Sequence, residues 1–477
     1  MLNFLPPGLP PRRRFRNWAG VSALALALSG CALLPQSPPS AGPASPSTYA
    51  SQKSFAAPVA DWPSDQWWAD YHDPQLDSLI NEGLANAPDM KEAAARIARA
   101  KAIAAGADSA LLPSLDGNAS GGGYDIPQGG FLAHGWHAYG LGSIDLSWDL
   151  DFWGKNRATA AAAKSDVKAA QAEAADTRLV LSTAIASSYG NLARLYAELD
   201  AVQDNARIRT ETERLIRNRF AHGLENQGAV DSAASATATA QEQVAELQQQ
   251  IEIARYGLAA LVGAGPDRGL AIARPPMLTA KSFGLPADLP LNLIGRRPDI
   301  IAAKLNAEAA ASRIKAAKAA FYPDINLSAS AGLAAFGLSG LYSSGSNFGS
   351  AGPALSLPIF EGGKLRAQYH GAQATYQIAV AQYDGAMVEA LKQVADAAAN
   401  ERALANELTL SRDAEASAAA AVQTAENRYR GGLGTYLDVL TAEDTLVTAR
   451  LKVADLETSG FTIDVSLIRA LGGGFRS

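Results

Sequence analysis

The chain has 477 residues, about three domains' worth by length, and 48% of them are hydrophobic, which excludes a chain that is disordered by composition. Its 41 basic and 47 acidic residues give a formal charge of −6, so the positive excess of a general nucleic-acid binder is absent. One cysteine excludes a disulfide framework and a cysteine-built zinc site, and five histidines argue against a histidine metal centre.

The N-terminal segment has the pattern of an export signal. Four arginines within residues 12–16 precede an apolar run from Trp18 to Leu28, and a Leu-Ser-Gly-Cys string ends at Cys31. A run this short is typical of a signal peptide and does not span a bilayer. The string resembles a bacterial lipobox, so we expect residues 1–30 to be removed, Cys31 to be lipidated and residues 31–60 to form a tether. The alternatives are an ordinary signal peptide containing a cysteine and a twin-arginine signal.

The rest of the chain is a unit of about 210 residues repeated in tandem. The offsets are 210 for Pro88-Asp89 and Pro298-Asp299, 210 for Pro113 and Pro323, 208 for Phe152-Trp153-Gly154 and Phe360-Glu361-Gly362, 209 for Asn218-Arg219-Phe220 and Asn427-Arg428-Tyr429, and 210 for Ala260-Leu261 and Ala470-Leu471. The duplication predicts a first repeat at residues 61–270 and a second at residues 271–477.

Each repeat begins with a helix that ends before a proline (Asp89 to Leu112; Asp299 to Phe321) and continues with two strands separated by a glycine-rich loop. Apolar and polar residues alternate from Ile144 to Trp148 and from Ile325 to Leu333. Alternation with a period of two gives a strand one apolar and one polar face. This pattern suits a soluble sandwich or a membrane barrel, in which lipid meets the apolar face and water meets the polar one.

A proline-free helix of 67 residues follows in each repeat, from Lys155 to Ala221 and from Lys364 to Arg430. At about 1.5 Å per residue, each would be roughly 100 Å long. Return helices then run from Ala229 to Val262 and from Thr435 to Leu471. Coiled-coil seams, with steps of three and four, are predicted at Leu181, Ile185, Ser188, Leu192, Leu195, Leu199 and Val202, and at Val244, Leu247, Ile251, Ala254, Leu258 and Leu261.

Four strands per chain cannot close a barrel, because about eight is the smallest practical number. No run of eighteen apolar residues follows Cys31, and an exported chain without one spans a bilayer only as a closed barrel. Several chains must therefore contribute strands to one barrel and helices to one cylinder.

The chain resembles TolC-like outer membrane factors, of the lipoprotein type that serves resistance-nodulation-division efflux pumps. The ordered motifs that carry the resemblance are Trp67-Trp68 with Leu76, Leu79 and Ile80; Leu112-Pro113-Ser114-Leu115; Trp148 to Gly154; Arg297-Pro298-Asp299-Ile300; Phe321-Tyr322-Pro323; Pro358 to Gly363; Tyr429 to Gly432; Val439-Leu440; and Leu471 to Gly474. They run over nearly the whole mature chain.

This resemblance implies a mainly α fold with a membrane β-barrel, in which three chains give four strands each to a shared twelve-stranded barrel above a periplasmic tunnel of coiled-coil helices. It implies a homotrimer that contacts outer membrane lipid, a periplasmic adaptor (membrane fusion) protein and an inner membrane pump, and no nucleic acid. The function is then that of a passive outer membrane duct for small molecules, with no enzymatic activity, cofactor or metal. The alternatives are the outer channel of a type I protein secretion system and a pore-free coiled-coil lipoprotein.

The periplasmic closure is expected at the return turns. Leu433, Leu437, Leu440, Asp444, Val447 and Leu451 advance by three and four, which places Asp444 in an otherwise apolar seam. Asp444, with Thr441 and Glu443 beside it, is predicted to face the constriction or to pair with Arg428 or Arg430; the alternative is a polar residue that fixes helix register.

The resemblance adds Tyr429 and Leu437 as closing residues, although Thr441 and Asp444 stand where related proteins have an aspartate and an arginine. Asp438, with Asp231 as its counterpart, is either part of this gate or an acid of the N-cap type. The turn residues Gly223, Leu224, Gly432 and Leu433 are expected to meet the adaptor, or to be plain helix ends with glycine in the left-handed conformation.

Other candidate chemistry is weak. His134 and His137, expected in the loop between the first two strands, lack further metal ligands. Residues 121–123 are three glycines with no P-loop lysine after them. Asp149 and Asp151 fit a strand-to-helix transition better than paired-acid catalysis.

Overall fold

The computed structural model describes residues 42–45, 48–51, 53–129, 134–277, 284–287 and 289–476. Cys31, the segment 1–30 and the first part of the 31–60 tether lie outside these residues, so the lipidation and the signal peptide stay predictions.

The elements of the described chain follow in this order: a 3-10 helix at Trp67–Tyr71, α1 at Pro74–Asn86, α2 at Pro88–Ser109, β1 at Ser114–Ile126, β2 at Gly135–Asp149, α3 at Lys155–Ala221, α4 at Gln227–Leu261, α5 at Pro266–Leu270, α6 at Leu289–Arg296, α7 at Pro298–Ala319, β3 at Asp324–Phe336, a 3-10 helix at Leu338–Tyr342, β4 at Asn347–Ser356, α8 at Lys364–Arg430 and α9 at Tyr436–Leu471. Both 67-residue helices, α3 and α8, have the predicted bounds. Within the described part of the chain, no helix combines the length and the apolar character that crossing a membrane requires.

These elements divide into two compact units. The strand unit contains residues 100–167 and 306–379, and the helical unit contains residues 43–99, 168–305 and 380–477.

The strand unit is built on one antiparallel sheet in the order β1-β2-β3-β4. Its register pairs Asp145 with Asp116 on β1 and with Ser330 on β3, whereas Leu146 pairs with Leu115 and Ala329. Because directly paired residues share a face, the apolar positions of residues 144–148 and 325–333 collect on one face and their polar positions on the other. The predicted alternation is confirmed, and in the described chain β1 and β4 each leave one edge without a strand partner.

The turn from β2 into α3 is fixed by Asp151. Its backbone is left-handed, with φ of 45°, and its carboxylate accepts hydrogen bonds from the backbone N–H groups of Asn156 (2.8 Å) and Arg157 (2.9 Å). Burial acts to raise the pKa of Asp151, but these hydrogen bonds outweigh it and lower that pKa. Asp151 thus satisfies free N–H groups in the first turn of α3, which is the predicted strand-to-helix transition.

The core of the helical unit forms around α3 and α9, and its largest buried side chains are Trp67, Tyr189 and Phe461. Gly190 allows the two helices to approach closely, since a Cβ there would lie 2.7 Å from the Phe461 ring. The predicted α3 seam is buried except at the half-buried Ser188, and the α4 seam is buried or half-buried against the same core. Both seams are confirmed.

Candidate functional site

Each long helix ends in the same kind of glycine turn. Gly223 and Gly432 have left-handed backbones, with φ of 71° and 72°. The N–H groups of the next residues, Leu224 and Leu433, each donate to the carbonyl five residues earlier, at 2.9 and 2.8 Å. This Schellman arrangement satisfies the last carbonyls of a helix and favours glycine, which adopts a positive φ without strain. Both glycines therefore end helices, whatever else they contact.

The return helices begin at polar caps. The Asn226 side chain accepts a hydrogen bond from the N–H of Ala229 at 2.9 Å, and Thr435 forms a reciprocal capping box with Asp438. The backbone N–H and then the hydroxyl of Thr435 donate to Asp438 and lower the pKa of its carboxyl. Asp438 thus fixes the start of α9. Because Asn226 and Thr435 are equivalent caps, Ala229 is the counterpart of Asp438, and the assignment to Asp231 is wrong.

An apolar cluster joins the ends of the two helical hairpins and consists of Ile216, Val230, Ala233, Tyr429, Tyr436 and Val439. The hydroxyl of the buried Tyr429 donates to the Glu225 carboxylate at 2.6 Å, and the Arg219 guanidinium lies 4.9 Å from the ring centre. Burial, followed by the hydrogen bond to Glu225, raises the pKa of Tyr429. Tyr429 therefore ties the end of α8 to the turn after α3.

Arg209 of α3 forms ion pairs with two adjacent acids of α9. Its guanidinium lies 2.5 Å from the Glu443 carboxylate and 2.6 Å from that of Asp444. The side chains of Arg209 and Glu443 are 2% and 5% exposed, but that of Asp444 is 71% exposed. Burial raises the pKa of Glu443, and the charge of Arg209 opposes this. Within the described chain the cation that pairs with Asp444 is therefore Arg209 of α3, and a pairing with Arg428 or Arg430 across the constriction stays a prediction.

The buried face of α9 differs from the predicted seam. In the first half of the helix the buried residues are Tyr436, Val439, Glu443, Leu446 and Val453. The predicted row is exposed or half-buried, with Leu433 75% and Leu437 66% exposed. Both rows follow the heptad spacing, with steps of three, four or their sum of seven, so spacing does not choose between them. The row that is buried is the one that meets the other hairpin, since Tyr436 and Val439 pack in one cluster with Ile216.

Six of the nine predicted gate and turn residues line one of two concave surfaces. Thr441 and Asp444 line a groove of about 520 Å³ between α8 and α9, whose other residues are Ser411, Ala414, Thr445, Thr448, Ala449 and Lys452. A second cavity of about 410 Å³ lies at the turns and is lined by Leu224, Tyr429, Gly432 and Leu437, among others. Thr441 and Leu437 are exposed, so both are open to a partner.

The polar face of the sheet carries a hydrogen-bond network in the strand unit. Asn118 and Ser143 donate to the Asp145 carboxylate at 2.8 and 2.7 Å, and Ser330 is a third partner. On the adjacent strands, Ser147 and Asn326 hydrogen-bond to one another. The four strands contain aspartates and no lysine or arginine. This face is therefore hydrophilic and negatively charged.

The structure also locates the histidines and the three glycines that the sequence offered as weaker candidate sites. His137 lies in β2 and not in the predicted loop, which puts it in a strand register, and His134 precedes the strand. Residues 121–123 belong to β1. Among the residues that the structure describes, no group of three or more histidine, cysteine, aspartate or glutamate side chains is arranged to hold a metal ion.

Sequence reasoning missed the Arg209–Glu443 pair, although a signal for it was present. Val202, Arg209 and Ile216 continue the α3 seam at heptad spacing, and all three are buried. A basic residue in one apolar row and an acid in another predict a buried ion pair if the two rows meet.

A protein-family model and several known proteins match this chain over most of its length. The family model for the outer membrane efflux protein covers residues 79–264 and 289–473. The multidrug resistance outer membrane protein MdtQ of Escherichia coli O157:H7 is 33% identical over 485 residues, which cover 95% of this chain and 97% of that protein. The fusaric acid resistance protein FusA of Burkholderia cepacia is 35% identical over 367 residues, or 74% of this chain and 68% of that protein.

Among solved structures, the outer membrane protein VceC of Vibrio cholerae is 41% identical with a TM-score of 0.82, and the match covers 87% of this chain and 100% of that one. These matches confirm the predicted resemblance and its fold class, a mainly helical tandem repeat with barrel strands. The chain belongs to the outer membrane efflux protein family and is the outer membrane channel of a tripartite efflux system in a Gram-negative bacterium.

Proposed function

We propose that three copies of this chain form a passive duct that exports small molecules and has no enzymatic activity. The observation that carries the proposal is the sheet. In the described residues β1 and β4 each have one edge that pairs with no strand, and over residues 144–148 and 325–333 the register separates an apolar face from a polar one. Pairing β4 of one copy with β1 of the next three times closes a twelve-stranded barrel, with lipid on the apolar face and water on the polar face.

The duct is tested by reconstituting the full chain into planar bilayers. We expect heat-modifiable migration of a trimer on gels and discrete ionic conductance. A monomer without conductance would contradict the proposal.

The substrates we propose are small toxic molecules. The names of the relatives refer to multidrug and fusaric acid resistance, which supports small-molecule efflux through an adaptor and an inner membrane pump. Deleting the gene for this chain should raise drug sensitivity, and complementation should restore resistance. If instead a secreted protein accumulated in the cell, a protein secretion channel would be favoured.

We also propose that Cys31 carries the lipid anchor and that residues 61–270 and 271–477 are the two repeats. Radioactive palmitate should label the wild-type chain but not Cys31→Ser. Unchanged labelling of the variant would refute the anchor.

We propose that the periplasmic gate comprises Tyr429, Leu437, Asp438, Thr441 and Asp444. Support comes from the exposed Asp444, which is held by a buried arginine of another helix and lines a groove with Thr441. Asp444→Asn removes the charge while keeping the shape, so it should increase leak conductance in bilayers. Asp413→Asn, on an exposed face of α8, is the control. Equal closed-state conductance in both variants would count against the gate.

The adaptor is proposed to dock on the turns at Gly223, Leu224, Gly432 and Leu433. The two leucines occupy equivalent Schellman positions and are 65% and 75% exposed, so each repeat presents an apolar tip. Leu224→Glu and Leu433→Glu should weaken binding of the purified adaptor, whereas Leu410→Glu, at an exposed site within α8, should not. Equal affinity in all three variants would refute the docking site.

A further inference from the structure

The face of the sheet that carries Asp145 becomes aromatic toward the β1–β2 loop. Tyr124 pairs with His137, and Tyr139 pairs with Phe336. The register is continuous, so alternation places all four on the face of Asp145. We call Tyr124, His137, Tyr139 and Phe336 the loop-end aromatic cluster.

The rings of this cluster lie close together. The ring centres of Tyr124 and His137 are 6.1 Å apart, and those of Tyr124 and Tyr139 are 6.2 Å apart. The ring of Tyr139 lies across Gly122 of the adjacent strand. A Cβ added to Gly122 would be 2.9 Å from the Tyr139 ring. Tyr139 is 39% and Phe336 70% exposed. The cluster therefore presents ring surface to a ligand from the face that also carries Asp145, beside the partly exposed Leu141 and Phe348.

The charge of the strands favours a cation. Their aspartates are Asp116, Asp125, Asp145, Asp149 and Asp324, and the strands contain no lysine or arginine. All except Asp125 lie on the face of the cluster. Tyr139 and Asp145 are six positions apart along β2, or about 20 Å at 3.4 Å per residue. A cation that moves along this face passes from carboxylates to rings, and both attract positive charge.

We propose that the loop-end aromatic cluster is a binding site for aromatic organic cations. The proposal rests on the proposed function, in which the polar face lines the pore. The ring faces supply cation–π attraction, and flat stacking adds to it only when the cation itself carries rings. The site therefore distinguishes aromatic cations from aliphatic cations of equal charge.

Trp136 provides a matched control from the opposite face. It neighbours His137 along β2, is 77% exposed, and lies 3.6 Å from the position of a Cβ on Gly123. Trp136 is thus an exposed ring at the same level of the sheet that the proposal places outside the pore.

The experiment measures block of single channels formed by the full chain in planar bilayers. Tetraphenylphosphonium, which carries four rings, and tetraethylammonium, which carries none, are added to the side that the strand loops face. We expect tetraphenylphosphonium to block at a concentration at least about tenfold lower. Tyr139→Leu should raise its half-blocking concentration about three- to tenfold, with block by tetraethylammonium unchanged. Phe336→Leu, on another strand, is measured in parallel so that the test remains if one variant forms no channels.

The outcomes separate the site from the duct. Block that does not change in Tyr139→Leu and Phe336→Leu, or that changes as much in Trp136→Leu, would overturn the aromatic site while leaving the duct intact. A wild-type chain that conducts no ions would instead refute the proposed function. Block sensitive to the cluster but not to Trp136 supports the site.

Discussion

The ion pair between α3 and α9 predicts a large local effect of Arg209→Met. The substitution keeps an unbranched side chain but removes the guanidinium that lies 2.5 Å from the Glu443 carboxylate. The Glu443 side chain is only 5% exposed, so its charge is then buried without a partner cation at that distance. Two unit charges about 4 Å apart interact by about 4 kcal/mol at an effective dielectric constant of 20. Removing one partner of a buried pair costs about 3–5 kcal/mol. The free energy of local opening around residues 436–446 should fall by that amount.

Hydrogen–deuterium exchange of the full chain measures this loss. A fall of about 3–5 kcal/mol corresponds to exchange roughly one hundred to several thousand times faster in the segment 436–446. Arg207→Met is the control, because Arg207 is 60% exposed and its partners lie at 3.5 and 3.4 Å. Such surface pairs contribute about 0–1 kcal/mol.

The effect should also depend on pH. Burial raises the pKa of Glu443, and loss of Arg209, which lowers it, raises it further. In the variant, folded Glu443 holds its proton more tightly than the unfolded chain does. The loss of local stability in Arg209→Met is therefore complete above the pKa of Glu443 in the folded variant. It disappears as the pH falls toward 4.5, the ordinary pKa of a glutamate. After correction for intrinsic exchange rates, a deficit that equals the Arg207→Met control or does not change between pH 8 and pH 5 would refute this account.

Three further predictions concern packing and turns. Gly190→Ala should destabilise the chain by about 1–3 kcal/mol, because its Cβ would press on Phe461. Thermal unfolding followed by circular dichroism measures this loss. The control is Gly257→Ala, where a Cβ meets nothing within 4 Å, and it should be neutral or stabilising. Gly432→Ala should cost about 1–2 kcal/mol through its φ of 72° alone, and a protease should cut its turn faster; an unchanged cleavage rate would contradict the strain. Thr435→Ala should cost about 1 kcal/mol and speed exchange in the first turn of α9, whereas Thr435→Ser should retain the cap.

Much of the fold is determined by local sequence. The absence of proline and the abundance of alanine over residues 155–221 and 364–430 fix two long helices whose bounds needed no correction. Alternation in β2 and β3 fixes which side chains share a face, because the side-chain period of a strand is two. The offset near 210 predicted that both halves would use the same order of a helix, two strands, a long helix and a return helix, and they do.

The site required the tertiary structure. Two rows of α9 share the same spacing, and only packing against the neighbouring helices decided that Glu443 turns inward and Leu437 outward. Arg209 and Asp444 are 235 residues apart in sequence, so no periodicity within one helix reports that they meet. Periodicity tells which side of a helix is apolar, but the partner of a charged residue depends on how separate helices pack, and that is a property of the folded chain alone.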